Sequence, residues 1–131
     1  ERYLAERIVM PVEKPGAVLA ELAAHLRENR IVNITVRGEA ACPVKTRFFK
    51  RRLRIAPGAP VLAWNSKAVL IPVFTTCIGA GRYCVRLDRP IELEEFSTRG
   101  EAVVGAAEDY ARRLESVVSD KPGQWIEWFN I

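Results

Sequence analysis

The chain has 131 residues, of which 49% are hydrophobic and 27% charged, and this suits one domain built on one core. No apolar run approaches the roughly 18 residues of a membrane-spanning helix, and no secretory leader pattern opens the sequence. The net charge is only +4, but Arg27, Arg30, Arg37, Lys45, Arg47, Lys50, Arg51, Arg52 and Arg54 are opposed locally by Glu28 and Glu39 alone. Such an excess favours a phosphate-bearing partner: a lipid headgroup, an anionic membrane or a nucleic acid.

The first residue is Glu1 and the only methionine is Met10, so the chain reads as processed, trimmed or a piece of something longer. Cys42, Cys77 and Cys84 are odd in number and lack Cys-x-x-Cys spacing, which excludes a full disulfide framework and argues against a zinc site. They read as reduced, mostly buried thiols, although Cys77 and Cys84 could face each other across a hairpin.

In chain order, Ile8–Val12 reads as a short edge strand interrupted by Pro11. Pro15-Gly16 opens a helix with an apolar stripe at Val18, Leu19, Leu22 and Leu26, ending near Arg30. The β-branched run Ile31–Val36 predicts a strand, and strand-helix-strand predicts a right-handed crossover joining a parallel pair. Residues 37–47 read as a loop or bent ribbon, with Phe48-Phe49 anchoring the basic loop 45–54 to the body. Pro57-Gly58 starts a short helix to about Ser66.

Val69–Thr75 is apolar on both faces, as a buried parallel strand would be. Gly79-Ala80-Gly81 is a turn, and Tyr83–Leu87 alternates like the returning arm of a hairpin. Thr98 and Glu101 form a capping-box pattern before a helix with Val103, Ala107, Tyr110, Ala111, Leu114 and Val117/Val118 on one face, ending near Asp120. Trp125, Trp128 and Phe129 could sit at a membrane interface or close the core, and the core is favoured.

His25 is the only histidine, so any Ser-His or Cys-His mechanism must use it. It reads instead as a helix-surface residue paired loosely with Glu28. Arg37-Gly38-Glu39 follows the predicted strand, where open parallel sheets bind ligands. There the glycine allows close approach, the arginine a forked phosphate clamp, and the glutamate a means of orienting it. Lys50-Arg51-Arg52 beside Phe48-Phe49 suits a lipid headgroup better than nucleic acid, because neither a helix-turn-helix pattern nor aromatics spread over a sheet face are evident.

From Ile8 to Trp128 the chain resembles the C-terminal half of the bacterial lysophospholipid and lipid A lauroyl acyltransferase family. The resemblance rests on Leu19–Arg30 with its Leu-Arg-Glu-Asn-Arg end and on Ile31–Val36 followed by Arg37-Gly38-Glu39. It also rests on Phe48-Phe49-Lys50-Arg51-Arg52, Pro57-Gly58 with Leu62-Ala63, Ala68–Phe74, Gly81-Arg82-Tyr83 and Gln124-Trp125. The block Phe48–Phe74 carries most of it. The family's catalytic His-x-x-x-x-Asp/Glu pair would lie upstream of Ile8; here His25 has Arg30 at the fifth position, and Gly38 precedes Glu39 instead of following it. No residue of the chain is assigned a catalytic role.

The expected fold is α/β, a mostly parallel sheet with packed helices, one domain over residues 1–131 that is part of a glycerolipid-acyltransferase-like domain. The resemblance implies transfer of a fatty acyl chain from a thioester donor (acyl carrier protein or coenzyme A) to a hydroxyl of a phospholipid or glycolipid, with no resident cofactor. Arg37, Arg51 and Arg52 would bind the acceptor's anion, and Gly38 and Glu39 would complete the site. The alternative is a non-catalytic module that binds anionic lipid headgroups through the basic stretch 45–54. Either way the expected place is cytoplasmic, peripheral to the inner face of the membrane, with no nucleic-acid partner.

Overall fold

The computed structural model describes residues 15–36, 40–126 and 128. The expected strand at Ile8–Val12, the Arg37-Gly38-Glu39 motif and Phe129 lie outside them. Helix α1 spans Pro15–Arg27; strands β1 (Val44–Phe48) and β2 (Arg51–Ile55) form a hairpin; helix α2 spans Gly58–Ser66. Strands β3 (Val73–Gly79) and β4 (Arg82–Leu87) form a second hairpin, and helix α3 spans Arg99–Asp120.

The mostly parallel sheet is not present. Among the described residues there are two separate two-stranded sheets, both antiparallel. Two segments account for the difference. Ile31–Val36 is irregular, pairs with no strand among the described residues, and leaves Ile31 97% exposed. Its β-branched composition describes fitness for a pleated surface and does not by itself make a strand. In 69–74, Val69, Ile71 and Val73 face solvent while Pro72 and Phe74 are buried and Leu70 is partly so. The apolar run is therefore one-sided, and before β3 it meets an antiparallel neighbour, through a bridge from Leu70 to Ile91 and a hydrogen bond from the Asp88 amide to the Pro72 carbonyl at 2.9 Å.

Helix α3 is the spine. Its N-terminus is fixed by a reciprocal cap: the Glu101 amide donates to Thr98 Oγ1 at 3.2 Å and the Thr98 amide donates to Glu101 Oε2 at 3.1 Å. Ala107, Ala111, Leu114 and Val118 of α3 join Phe48, Leu53, Ile55 and Phe74 in the larger core. One turn earlier, Ala102 and Ala106 pack with Ala63, Ile91 and Leu93. Tyr110 touches both clusters and stacks on Phe74, with ring centroids 5.7 Å apart. Gly105 lies directly under Phe96; a Cβ there would stand 2.2 Å from the ring, so only glycine fits.

Helix α1 packs on α2, with Leu22 buried and Val18, Leu19 and Leu26 partly so. Trp125 and Trp128 pack against the core at its hairpin end. The cysteines are not mostly buried: Cys42 and Cys84 are exposed and Cys77 is partly so. Cys77 pairs with Tyr83 and Cys84 with Thr76, so adjacent register positions put the two thiols on opposite faces of the hairpin. Among the described residues no helix is long and apolar enough to cross a membrane.

Candidate anion-binding surface

The basic stretch is not a loop but most of a hairpin. Its register sets Lys45 opposite Arg54, Thr46 opposite Leu53, Arg47 opposite Arg52 and Phe48 opposite Arg51. Because side chains alternate across a strand, Thr46, Phe48, Leu53 and Ile55 turn inward and are buried, and Lys45, Arg47, Arg52 and Arg54 share the outer face and are exposed. Two like-charge pairs thus stand directly across from each other. Such pairs destabilise a hairpin, each by about 0.2–1 kcal/mol. Among the described residues no carboxylate forms an ion pair with any of these four cations.

The hairpin tolerates this repulsion because its inner face is firmly held. Phe48 is fully buried; its ring lies 4.7 Å from that of Phe49 and 5.7 Å from that of Trp125. Phe49 packs on Trp128 at 5.5 Å, and its amide donates to Glu115 Oε2 of α3 at 3.1 Å. Thr46 is buried and its hydroxyl donates to the Leu53 carbonyl at 3.4 Å. The two turn residues, Phe49 and Lys50, have φ of 45° and 65°. Both lie in the left-handed region, as a two-residue hairpin turn requires, and neither is the Gly, Asn or Asp that usually supplies it. The contact to Glu115 and the aromatic packing offset that cost.

Of the residues expected to bind an anion, Arg52 lies on the outer face, with Arg47, Lys45 and Arg54 beside it. Arg51 falls on the other face of β2, beside Phe48 at the hairpin's end, so Arg51 and Arg52 do not converge on one ligand. Arg37, Gly38 and Glu39 lie outside the described residues, and the parallel strand expected before them is replaced by irregular chain. Lys45, Arg47 and Arg54 as members of one face went unrecognised. The alternation in Lys45-Thr46-Arg47-Phe48 and Arg52-Leu53-Arg54-Ile55 carried that signal. So did the longer pattern: Lys45, Arg47, Lys50, Arg51, Arg52, Arg54, Lys67, Arg82 and Arg86 fall between Glu39 and Asp88, a stretch without a single acid.

His25 is held by a cation. Arg30 Nη1 donates to His25 Nδ1, and the same guanidinium nitrogen lies 3.8 Å from Glu28. A guanidinium only donates, so Nδ1 is the acceptor and its lone pair is engaged. The expected pairing with Glu28 runs through Arg30 instead.

The groove between β3 and the end of α3 encloses about 200 Å³, below the roughly 300 Å³ at which small-molecule pockets begin. Asp109 ties α3 to its own next turn: burial raises its carboxyl, but hydrogen bonds from Arg113 and Arg112 outweigh this and hold it below the ordinary value. Arg113 also donates to the Arg89 carbonyl and stands 3.9 Å from Asp88, which fastens the chain leaving β4 to α3. These charges are structural and lie apart from the cationic face in the sequence.

No protein-family model and no curated protein matches this chain.

Proposed function

We propose that this chain is the acceptor-binding part of an O-acyltransferase-like protein, and that the outer face of β1–β2 holds the phosphate-bearing head of a phospholipid or glycolipid. The observation that carries the binding step is the pair of unneutralised cross-strand contacts, Lys45 with Arg54 and Arg47 with Arg52. An anion lying on that face replaces repulsion by charge-assisted hydrogen bonds, and arginine presents the forked geometry that matches phosphate oxygens. Acyl transfer from a thioester donor rests on the resemblance of Phe48–Phe74 and its flanks, with no residue of this chain as the base.

A second reading, a non-catalytic module that docks on anionic lipid surfaces through the same face, is favoured by how little that face needs: Lys45, Arg47, Arg52 and Arg54 can hold an anion without an acyl donor or a base.

Sedimentation with vesicles tests the shared binding step. Arg47→Ala with Arg52→Ala should weaken binding to anionic vesicles by about 2 kcal/mol, roughly 30-fold, and neutral vesicles should not distinguish the two forms. Competition by free inorganic phosphate at low concentration would assign the site to the phosphate group itself; competition only by lipid would assign it to the membrane surface. Equal binding of both forms to anionic vesicles removes the proposal. An assay for acyl transfer to a lysophospholipid separates the two readings when run on this chain and on any longer protein that contains it: transfer by the longer protein alone supports the first, and transfer by neither supports the second.

A further inference from the structure

The outer face of the β3–β4 hairpin is apolar and bare. In register, Val73 pairs with Leu87, Thr75 with Val85 and Cys77 with Tyr83, which puts these six residues on one face. Val73, Tyr83, Val85 and Leu87 are 46%, 66%, 58% and 66% exposed, and Ile78 at the turn is 49% exposed. The opposite face is the one that meets the body, through Phe74, whose ring also carries the Arg86 guanidinium at 5.6 Å. The hairpin is not loose. Gln124 clasps the Cys77 backbone with its Oε1 accepting from the amide and its Nε2 donating to the carbonyl, both at 2.8 Å, and Lys121 Nζ donates to the same carbonyl at 3.3 Å. A fixed, contiguous apolar face on an antiparallel pair marks an interaction surface.

We infer that this face inserts into the interfacial layer of an anionic phospholipid bilayer. The inference rests on the headgroup-binding reading of β1–β2 and adds a second, apolar point of contact to it. Charge selects the occupant. Both hairpins lie in the acid-free stretch between Glu39 and Asp88, which carries nine Lys and Arg, and Arg82 stands at the β4 end of the hairpin turn. An apolar face on a hairpin that carries Arg82 and Arg86 and no carboxylate fits a layer whose outer level is phosphate and whose inner level is hydrocarbon. Tyr83, nearest the turn, has the apolar ring and polar tip favoured at that boundary. The turn itself is slim: Gly79, Ala80 and Gly81 have φ of 108°, 47° and 73°, and only Ala80 carries a side chain.

The test compares three proteins on vesicles of equimolar phosphatidylcholine and phosphatidylglycerol at low and high salt. The first is the unaltered chain. The second is Tyr83→Thr, Val85→Thr, Leu87→Thr, which removes apolar area while keeping charge and strand preference. The third is Arg47→Ala, Arg52→Ala. Circular dichroism confirms that each variant is folded. The unaltered chain should bind at low salt and retain part of that binding at high salt, where surface electrostatics is screened. The threonine variant should bind at least about tenfold more weakly and lose the salt-resistant part, and the alanine variant should keep the salt-resistant part. If the threonine variant binds like the unaltered chain, insertion is wrong and headgroup binding stands. If only the threonine variant is impaired, insertion stands and the β1–β2 reading fails. No binding by the unaltered chain ends both. A dimer that the threonine substitutions dissociate, with vesicle binding unchanged, makes the face a contact between copies and overturns the inference.

Discussion

Hairpin β1–β2 turns Phe48, Leu53 and Ile55 onto α3 and presents Lys45, Arg47, Arg52 and Arg54 to solvent. Hairpin β3–β4 places only Phe74 in the same core and presents Val73, Tyr83, Val85 and Leu87 to solvent. Both are antiparallel pairs with residues alternating between faces, yet one hides its apolar face and the other shows it. Alternation fixes which side chains share a face. Which face is covered depends on where the apolar stripe of α3 runs, and that stripe is filled mainly by β1–β2. The first hairpin therefore belongs to the body of the fold, and the second is attached to it by one aromatic side chain and the Gln124–Lys121 clasp.

The largest expected effect tests that asymmetry. Phe48→Ala empties the most completely buried large side chain in the described structure and should cost about 4 kcal/mol of stability in denaturant unfolding. Val85→Ala, on the bare face of the other hairpin, should change stability by less than about 0.5 kcal/mol. Similar costs at the two positions would mean that β3–β4 is as much part of the core as β1–β2, and the distinction between them would fall.

Next in size is the attachment of the chain leaving β4 to α3. Asp109 has its carboxyl held below the ordinary value of 3.8: burial raises it, and the hydrogen bonds and charges of Arg113 and Arg112 prevail. A carboxyl depressed in the folded state contributes stability that is fully present above its unfolded pKa and is lost as pH falls through the folded one. Asp109→Asn should therefore lower stability by about 1 kcal/mol at neutral pH, discounted for partial exposure. It should also flatten the stability loss that the unaltered chain shows as pH falls below about 3.8. A variant that keeps the full acid-side slope would place that sensitivity on another carboxyl.

Much of the body of the fold was legible in the sequence because local signals and tertiary packing agree there. The Thr98–Glu101 cap and the stripe from Val103 to Val118 mark α3 within a residue or two, Pro57-Gly58 marks the start of α2, and Tyr83–Leu87 reads as a returning strand. The sheet was not legible. Ile31–Val36 and Val69–Phe74 have strand composition, and composition cannot report whether another backbone lies alongside. The β1–β2 hairpin was hidden for a different reason. Its turn is Phe49-Lys50, with left-handed backbone and none of the residues that advertise such a turn, so ten residues of regular alternation read as a basic loop. With the turn unseen, Arg51 and Arg52 looked like neighbours in one clamp, although a strand sends consecutive side chains to opposite faces. Lys45 and Arg54, nine positions apart, escaped notice as partners for the same reason.

The smallest expected effect cuts closest to function. If the cationic face is arranged for a ligand and not for the fold, relieving its repulsion should stabilise the chain while impairing binding. Arg47→Glu replaces the like-charge pair with Arg52 by an opposite-charge pair at the same register position. On an exposed two-stranded surface this exchange is worth about 0.5–1 kcal/mol in favour of folding, and added salt should shrink the gain. The same substitution sets a carboxylate in the middle of the proposed phosphate site, so binding to anionic vesicles should weaken more than it does for Arg47→Ala. Parallel measurements of unfolding and sedimentation read both signs at once. A gain in stability with a loss of binding means that the repulsion between Arg47 and Arg52 is retained for what the face holds. A loss of stability would mean that Arg47 supports the hairpin itself, through its aliphatic stem over the strand, and the cationic face would then need no anion to explain it.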